Sequence, residues 1–165
     1  MVTYLKGALL DSDCDYICHQ VNCRGVMGAG IARQIRERFP EVYRVYRERY
    51  EDALRVLDSP DRMLGSTDIV QIPGTNQYVV NMYSQRSYGY NGKRYTSYRA
   101  FRFILNELKR DIPTDCIIGF PNGIGCGLGG GDWEVISKMI EEILGESHEV
   151  YIYELEEQPC KKLFS

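Results

Sequence analysis

The sequence predicts a three-layer α/β/α domain built on a mixed central sheet. Three observations carry that prediction. Short apolar, β-branched runs alternate with stretches of helical spacing along the chain. The tetrapeptide Gly74-Thr75-Asn76-Gln77 lies between the two middle runs as a hairpin turn, which makes the sheet mixed rather than purely parallel. Two glycine-rich loops occupy the same context, each following a strand and opening a helix.

In chain order, residues 3–10, 16–22, 69–72, 78–84, 116–121 and 150–155 read as strands. Ile31, Ile35 and Phe39 recur every fourth residue and set one apolar stripe on a first helix, which Pro40 ends or interrupts. Residues 41–57 keep helical spacing but carry heavy charge, predicting a largely solvated helix. Thr96 or Ser97 can cap a helix with Tyr98, Phe101, Leu105 and Leu108 on one side. Asp132 is a good N-cap for the last helix, with Trp133, Ile136, Ile140 and Ile143 facing inward.

Composition narrows the function. The 165 residues are 44% hydrophobic and 26% charged, as in folded globular chains and unlike disordered ones. A net charge of −3 argues against a general nucleic-acid backbone binder, which needs a basic excess. A local anion site needs no basic residue, because backbone N–H groups can hold phosphate. The start of the chain lacks the apolar run of a signal peptide, and no segment is long and apolar enough to span a bilayer. Cysteines at 14, 18, 23, 116, 126 and 160 form no CxxC pair, and His19 and His148 are the only histidines. Reduced thiols in a cytoplasmic protein, with no metal site and no cofactor, are the expectation.

The loops are where chemistry is expected. The first runs Asn22-Cys23-Arg24-Gly25-Val26-Met27-Gly28-Ala29-Gly30, and the second Gly123-Ile124-Gly125-Cys126-Gly127-Leu128-Gly129-Gly130-Gly131. Glycine lets N–H groups turn inward and a ligand approach closely, and a helix start adds partial positive charge. Either loop alone could be a tight turn. Two at strand ends point to a diphosphate clamped between them, where open α/β sheets bind ligands. Gly125, Gly127 and Gly130 also spell GxGxxG, with Glu154 and Glu156 downstream near the distance of a Rossmann ribose acid. That leaves a different nucleotide-binding α/β protein as a weaker possibility, since the chain ends one strand later. No GxxxxGK[ST] or GxSxG motif is present.

Asn22, then Gly25-Val26-Met27-Gly28-Ala29-Gly30-Ile31-Ala32, with Gly123-Ile124-Gly125-Cys126-Gly127-Leu128 and Asp132-Trp133, resemble the macrodomain family. The likeness is closest to its branch of terminal ADP-ribose glycohydrolases, DNA ADP-ribosyl hydrolase antitoxins and ADP-ribose-1″-phosphate phosphatases. It runs from Leu5 to about Leu155 and implies a single macrodomain over residues 1–165. By that resemblance Asn22 would hydrogen-bond the distal ribose of ADP-ribose, and Gly28, Ala29, Gly30 and Ile31 would line it and the adjoining phosphate. Gly125, Cys126, Gly127, Leu128 and Gly129 would wrap the diphosphate through main-chain N–H groups. Leu9 would lie near adenine, with Tyr153 either beside it or packed in the core.

The chain also departs from the family. The acid that holds the adenine amino group in many macrodomains is replaced after Gly7 by Ala8, leaving Asp11 or Asp13 to supply the contact. Where de-ADP-ribosylating relatives carry a catalytic lysine the alignment puts Gln85, and where they carry its partner acid it puts Gly129. His19 is then the candidate general acid or base, beside Asn22. Strand alternation can aim it away from Asn22, so a structural histidine is the other reading. The stretch 85–96, with three basic residues and three tyrosines, could cover the distal ribose or be a solvated turn around Asn91-Gly92. The expected function is ADP-ribose binding by a monomer, with hydrolysis of ADP-ribose-1″-phosphate or of an ADP-ribosylated macromolecule. The alternative is a binding module without turnover.

Overall fold

Residues 1–156 are described by a computed structural model, so Cys160 lies outside the described residues. The strands are β1 (Val2–Lys6), β2 (Tyr16–Asn22), β3 (Thr67–Gln71), β4 (Tyr78–Gln85), β5 (Ile117–Pro121) and β6 (Glu149–Glu154). The helices are α1 (Gly30–Arg38), α2 (Pro40–Val56), α3 (Tyr98–Asp111) and α4 (Trp133–Leu144). The sheet order is β1-β6-β5-β2-β4-β3, and only β3 runs antiparallel to its neighbour, through the predicted hairpin.

Strand ends differ from the expected ones by up to two residues at β3 to β6, and two larger differences have physical reasons. β1 stops at Lys6 instead of residue 10, because Gly7 adopts φ +139° and the chain enters a 3-10 turn at Leu9–Asp11. That turn tucks Leu9 and Leu10 into the core instead of extending a strand edge. Pro40 begins α2 at its first position, where the missing N–H would have had no partner anyway. α2 is less solvated than its charge suggested. It buries Val42, Tyr46 and Ala53, while pairs such as Arg44–Glu48 (2.6 Å) and Arg47–Glu51 (3.1 Å) occupy its outer face.

The helices cover both faces of the sheet. α3 and α4 pack over Cys18, Val80, Met82, Ile118, Phe120 and Ile152, whereas Ile35, Val42 and Tyr46 of α1 and α2 pack over Ile17, Val21, Val79 and Tyr83. Ser97, not Thr96, caps α3 by accepting from the Ala100 N–H at 3.2 Å. Asp132 caps α4 from the Glu134 N–H at 2.9 Å. β5 leads through α4 to β6 on one side of the sheet, and β2 leads towards β4 and β3 on the other. The chain therefore diverges between β2 and β5, which is the place where open α/β sheets form a crevice. No helix among the described residues is long and apolar enough to cross a membrane.

The alternation of β2 sends His19 to the α1/α2 side, into a polar cluster beneath α2. Its Nε2 lies 2.5 Å from Asn81 Oδ1, and Asn81 Nδ2 donates to Asp68 Oδ2 at 3.2 Å. Tyr83 donates to the same carboxylate at 2.7 Å, and Arg49 pairs with it at 2.5 Å. The ring is fully buried, and its Nδ1 has no partner among the described residues. Burial pushes the His19 pKa down to about 4, against Asn81 and Asp68, which favour the charged ring.

This makes stability depend on pH. The folded pKa lies below the unfolded value, so on acidification the unfolded chain takes up the proton first. Stability due to neutral His19 is complete above pH ~6.5 and is lost progressively as the pH falls towards 4. Urea unfolding should show wild type losing about 2 kcal/mol more than His19→Gln between pH 7 and pH 5. Equal losses in the two proteins would contradict this placement of the ring.

Candidate functional site

A cleft of about 590 Å³ opens at the ends of β2, β5 and β6. One wall is the first glycine loop with the start of α1. β4 carries an extra residue here, since Val21 pairs with Tyr83 but Asn22 pairs with Gln85, skipping Ser84. Strict alternation would have put Asn22 on the face of Gln20. Instead its side chain meets Tyr46 of α2, whose hydroxyl lies 2.8 Å from both the Asn22 carbonyl and Oδ1. Oδ1 also accepts the Arg24 N–H at 2.9 Å, and Nδ2 donates one proton to the Val26 carbonyl at 2.8 Å. Asn22 thus folds the loop from inside while lining the cleft. Gly25, at φ +72°, is obligatory, because a Cβ there would lie 2.5 Å from Arg47 Nη1 and 2.6 Å from the Tyr50 ring.

The loop delivers the start of α1 to the cleft without a cap. Ala29 precedes the helix and offers no side-chain acceptor. The N–H groups of Gly30, Ile31 and Ala32 have no acceptor among the described residues, and all three residues line the cleft. The two helix starts are not equivalent as the sequence suggested: α4 has its own exposed cap in Asp132, and Asp132 does not line the cleft.

The opposite wall is the second loop. Four internal bonds hold it: Ile124 N–H to Pro121 (3.1 Å), Cys126 to Gly123 (2.9 Å), Gly130 to Gly127 (3.1 Å) and Gly131 to Gly125 (2.8 Å). The N–H groups of Gly125, Gly127, Leu128 and Gly129 are left without acceptors among the described residues, and these residues line the cleft. Cys126, expected with them, does not. Its N–H is spent on Gly123, and its side chain packs towards α3 and α4, with Sγ 3.4 Å from the Ile124 carbonyl.

A polar cluster that the sequence reading had not singled out backs this wall. Gln20 Nε2 donates to Gln85 Oε1 (2.6 Å) and Thr96 Oγ1 (2.9 Å), and its Oε1 accepts from Ser84 (2.6 Å). Thr96 in turn donates to the Gly125 carbonyl at 2.7 Å. The available signal was a glutamine on the β2 face that meets the α3/α4 core, where an unpartnered amide would be costly. The same cluster explains both departures from the family. Gln85 is tied to Gln20 and, through Nε2, to the Ser87 carbonyl at 2.9 Å. A Cβ on Gly129 would sit 2.6 Å from Thr96 Oγ1 and 2.7 Å from the Gly125 carbonyl, leaving no room for an acid.

At the other end, Leu9 and Tyr153 line the cleft together, and Tyr153 is also packed against core residues. Asp11 pairs with Arg38 at 2.5 Å, Asp13 is exposed, and neither lines the cleft. Glu154 is the one carboxylate in the lining among the described residues, and it is bound to Lys6 at 2.7 Å. From the stretch 85–96, Tyr88 and Tyr90 reach the rim, but its basic residues do not. Arg86 turns to Asp61 (3.5 Å), and Arg94 stacks 4.3 Å over the Tyr98 ring. Among the described residues no lysine or arginine lines the cleft, and His19 lies outside it.

No family model matches the chain. Over 46 residues, 28% of this chain, it is 48% identical to the DNA ADP-ribosyl glycohydrolase of Mycobacterium tuberculosis, a match to 13% of that protein's length. Over 100 residues it is 30% identical to the ADP-ribose 1″-phosphate phosphatase of Meyerozyma guilliermondii, covering 53% of this chain and 55% of that one. The chain therefore spans only part of the length of the curated relatives it matches. The macrodomain of Thermus aquaticus DarG superposes with a TM-score of 0.74 at 25% identity, over 93% of this chain and 98% of that structure. With this architecture and these two loops, the chain has the macrodomain fold and is similar in sequence to parts of these relatives.

Proposed function

We propose that the cleft binds ADP-ribose or an ADP-ribosyl group and that the protein hydrolyses an ADP-ribose derivative. The observation that carries this reading is the set of unsatisfied backbone N–H groups converging from the α1 start and the second loop. A diphosphate is the ligand that such a cradle suits, since it offers many acceptor oxygens and needs no fixed basic partner. Leu9 and Tyr153 then provide an apolar, aromatic end for adenine. Asn22 provides its second Nδ2 proton to the distal ribose. The names of the two curated relatives support the ligand and the reaction class: removal of ADP-ribose from a macromolecule, or loss of phosphate from ADP-ribose 1″-phosphate. The absence of a lysine at residue 85 favours the second.

In this mechanism binding does most of the work. The cradle fixes the ligand so that a water beside the distal ribose attacks the 1″-phosphorus in line; the P–O bond to the ribose breaks, one water proton passes to the departing ribose oxygen, and ADP-ribose and inorganic phosphate are released, with the α1 N–H groups meeting the charge that develops. Asn22 acts as a positioning residue, and the buried His19 takes no part. One observation favours a second reading, a binding module without turnover: Gln85 is fully engaged and Gly129 has no room for an acid. We place the protein in the cytoplasm as a monomer, in keeping with the buried free thiols of Cys14, Cys18 and Cys23 and a cleft complete within one chain.

Titration calorimetry with ADP-ribose tests the cradle. A Cβ on Gly127 meets nothing within 4 Å, so Gly127→Glu should fold normally while setting a carboxylate against the diphosphate. Affinity should fall by about 100-fold or more. Unchanged affinity, or a well-folded wild type that does not bind, would overturn the reading. Turnover of ADP-ribose 1″-phosphate should drop about 10-fold or more in Asn22→Ala and be unaffected in His19→Gln. Loss of activity in a stably folded His19→Gln would return that residue to the mechanism.

A further inference from the structure

Tyr46, on α2, is fully buried, and its hydroxyl lies 2.8 Å from two oxygens of Asn22, the main-chain carbonyl and Oδ1, so its one proton is shared between them. The other bonds of the Asn22 side chain stay within its own turn. Oδ1 accepts the Arg24 N–H, and Nδ2 donates to the Val26 carbonyl. Together these two select one orientation of the amide: swapped end for end, it would set Nδ2 against a donor and Oδ1 against an acceptor. Arg24 and Val26 move with the turn, however, and cannot fix the amide relative to the opposite wall of the cleft. Among the described residues, Tyr46 is the only group outside the turn that hydrogen-bonds the Asn22 side chain.

The ring that carries this hydroxyl is itself held in place. It packs at 5.8 Å on Tyr83 of β4, tilted by 33°, and at 6.5 Å on Tyr43 of its own helix. Tyr83 is locked in turn. Its hydroxyl donates to Asp68 Oδ2 at 2.7 Å, and the Arg49 guanidinium lies 4.8 Å from its ring centroid while pairing with the same carboxylate. Arg49 also donates to the Thr67 carbonyl and to Ser66 Oγ, each at 2.7 Å. A buried hydroxyl needs a partner, and the Asn22 main-chain carbonyl alone would satisfy Tyr46. Here the packed rings bring it to the side-chain oxygen as well. The second Nδ2 proton is left as the one free donor of the amide, on a residue that lines the cleft.

We propose that Tyr46 is a positioning residue for the distal ribose: through Oδ1 it holds the Asn22 amide so that the free Nδ2 proton meets a ribose hydroxyl. The inference rests on the ADP-ribose reading of the cleft and adds to it a residue that touches no ligand, since Tyr46 does not line the cleft. ADP keeps the adenosine and the diphosphate but has no distal ribose, so it separates the two claims. The test is titration calorimetry with ADP-ribose and with ADP, on wild type and on Tyr46→Phe, which keeps the buried ring. Wild type should bind ADP-ribose more tightly than ADP. Tyr46→Phe should weaken ADP-ribose binding by about 5-fold and leave ADP binding unchanged. Asn22→Ala should remove the same preference, and adding Tyr46→Phe to it should cost no further ADP-ribose affinity. Equal weakening of both ligands would make Tyr46 a merely structural residue and overturn the proposal, as would ADP-ribose binding that Tyr46→Phe leaves intact. A wild type that binds both ligands equally would leave the cradle standing and overturn the role of Tyr46. A wild type that binds neither would sink the ADP-ribose reading and this proposal with it.

Discussion

The site depends on where the carbonyls of the second loop go. A peptide group joins the C=O of one residue to the N–H of the next and points the two in opposite senses, so each bond the loop makes internally constrains which donors remain for a ligand. The Gly125 carbonyl accepts from Thr96 Oγ1 and from the Gly131 N–H, and the Gly129 carbonyl accepts from the N–H groups of Tyr95 and Thr96. The Gly123 and Gly127 carbonyls close short turns onto Cys126 and Gly130. Gln20, held by Ser84 and Gln85, keeps Thr96 in place behind them. The pinned Gly127 carbonyl sends the Leu128 N–H of the same peptide the other way, and the amides of Gly125, Gly127 and Gly129 are likewise left without an acceptor among the described residues, in a loop that lines the cleft. The glycine at 129 follows from the same packing, since any side chain would displace Thr96.

Across the cleft, the first loop reaches the same end by another route. Opposite the extra residue in β4, Asn22 meets Tyr46, and the Asn22 amide fixes the turn that leads into α1. Because Ala29 provides no cap, the helix start keeps its donors for a ligand. Both walls are therefore electropositive through backbone dipoles alone. A cleft with no lysine or arginine in its lining among the described residues can bind a compact diphosphate by geometry.

Much of this was legible in the sequence because the signals were local. Strand patterning, the hairpin at 74–77, the caps Ser97 and Asp132, and both glycine loops depend on residue type and near-neighbour spacing. What was not legible depends on contacts between distant segments. Gln20 looks unremarkable in a strand until Ser84, Gln85 and Thr96 are brought beside it from 64 to 76 residues away. The stretch 85–96 could have covered the distal ribose or been a solvated turn; Tyr88 and Tyr90 reach the rim, while Asp61 and Tyr98 draw two of its basic residues away from the cleft. Cys126 shared a motif with its neighbours, yet one turn spends its amide. For His19, alternation alone allowed the outcome that the fold shows, a ring turned into the α2 interior.

The most direct test of the backbone-cradle account is an amide-resolved NMR titration with ADP-ribose. The account predicts that the largest shifts fall on the N–H signals of Gly30, Ile31, Ala32, Gly125, Gly127, Leu128 and Gly129. The signals of Cys126, Gly130 and Gly131, whose N–H groups are already bonded within the loop, should move less. Shifts concentrated on arginine side chains, or on the stretch 85–96 with the second loop unmoved, would contradict it.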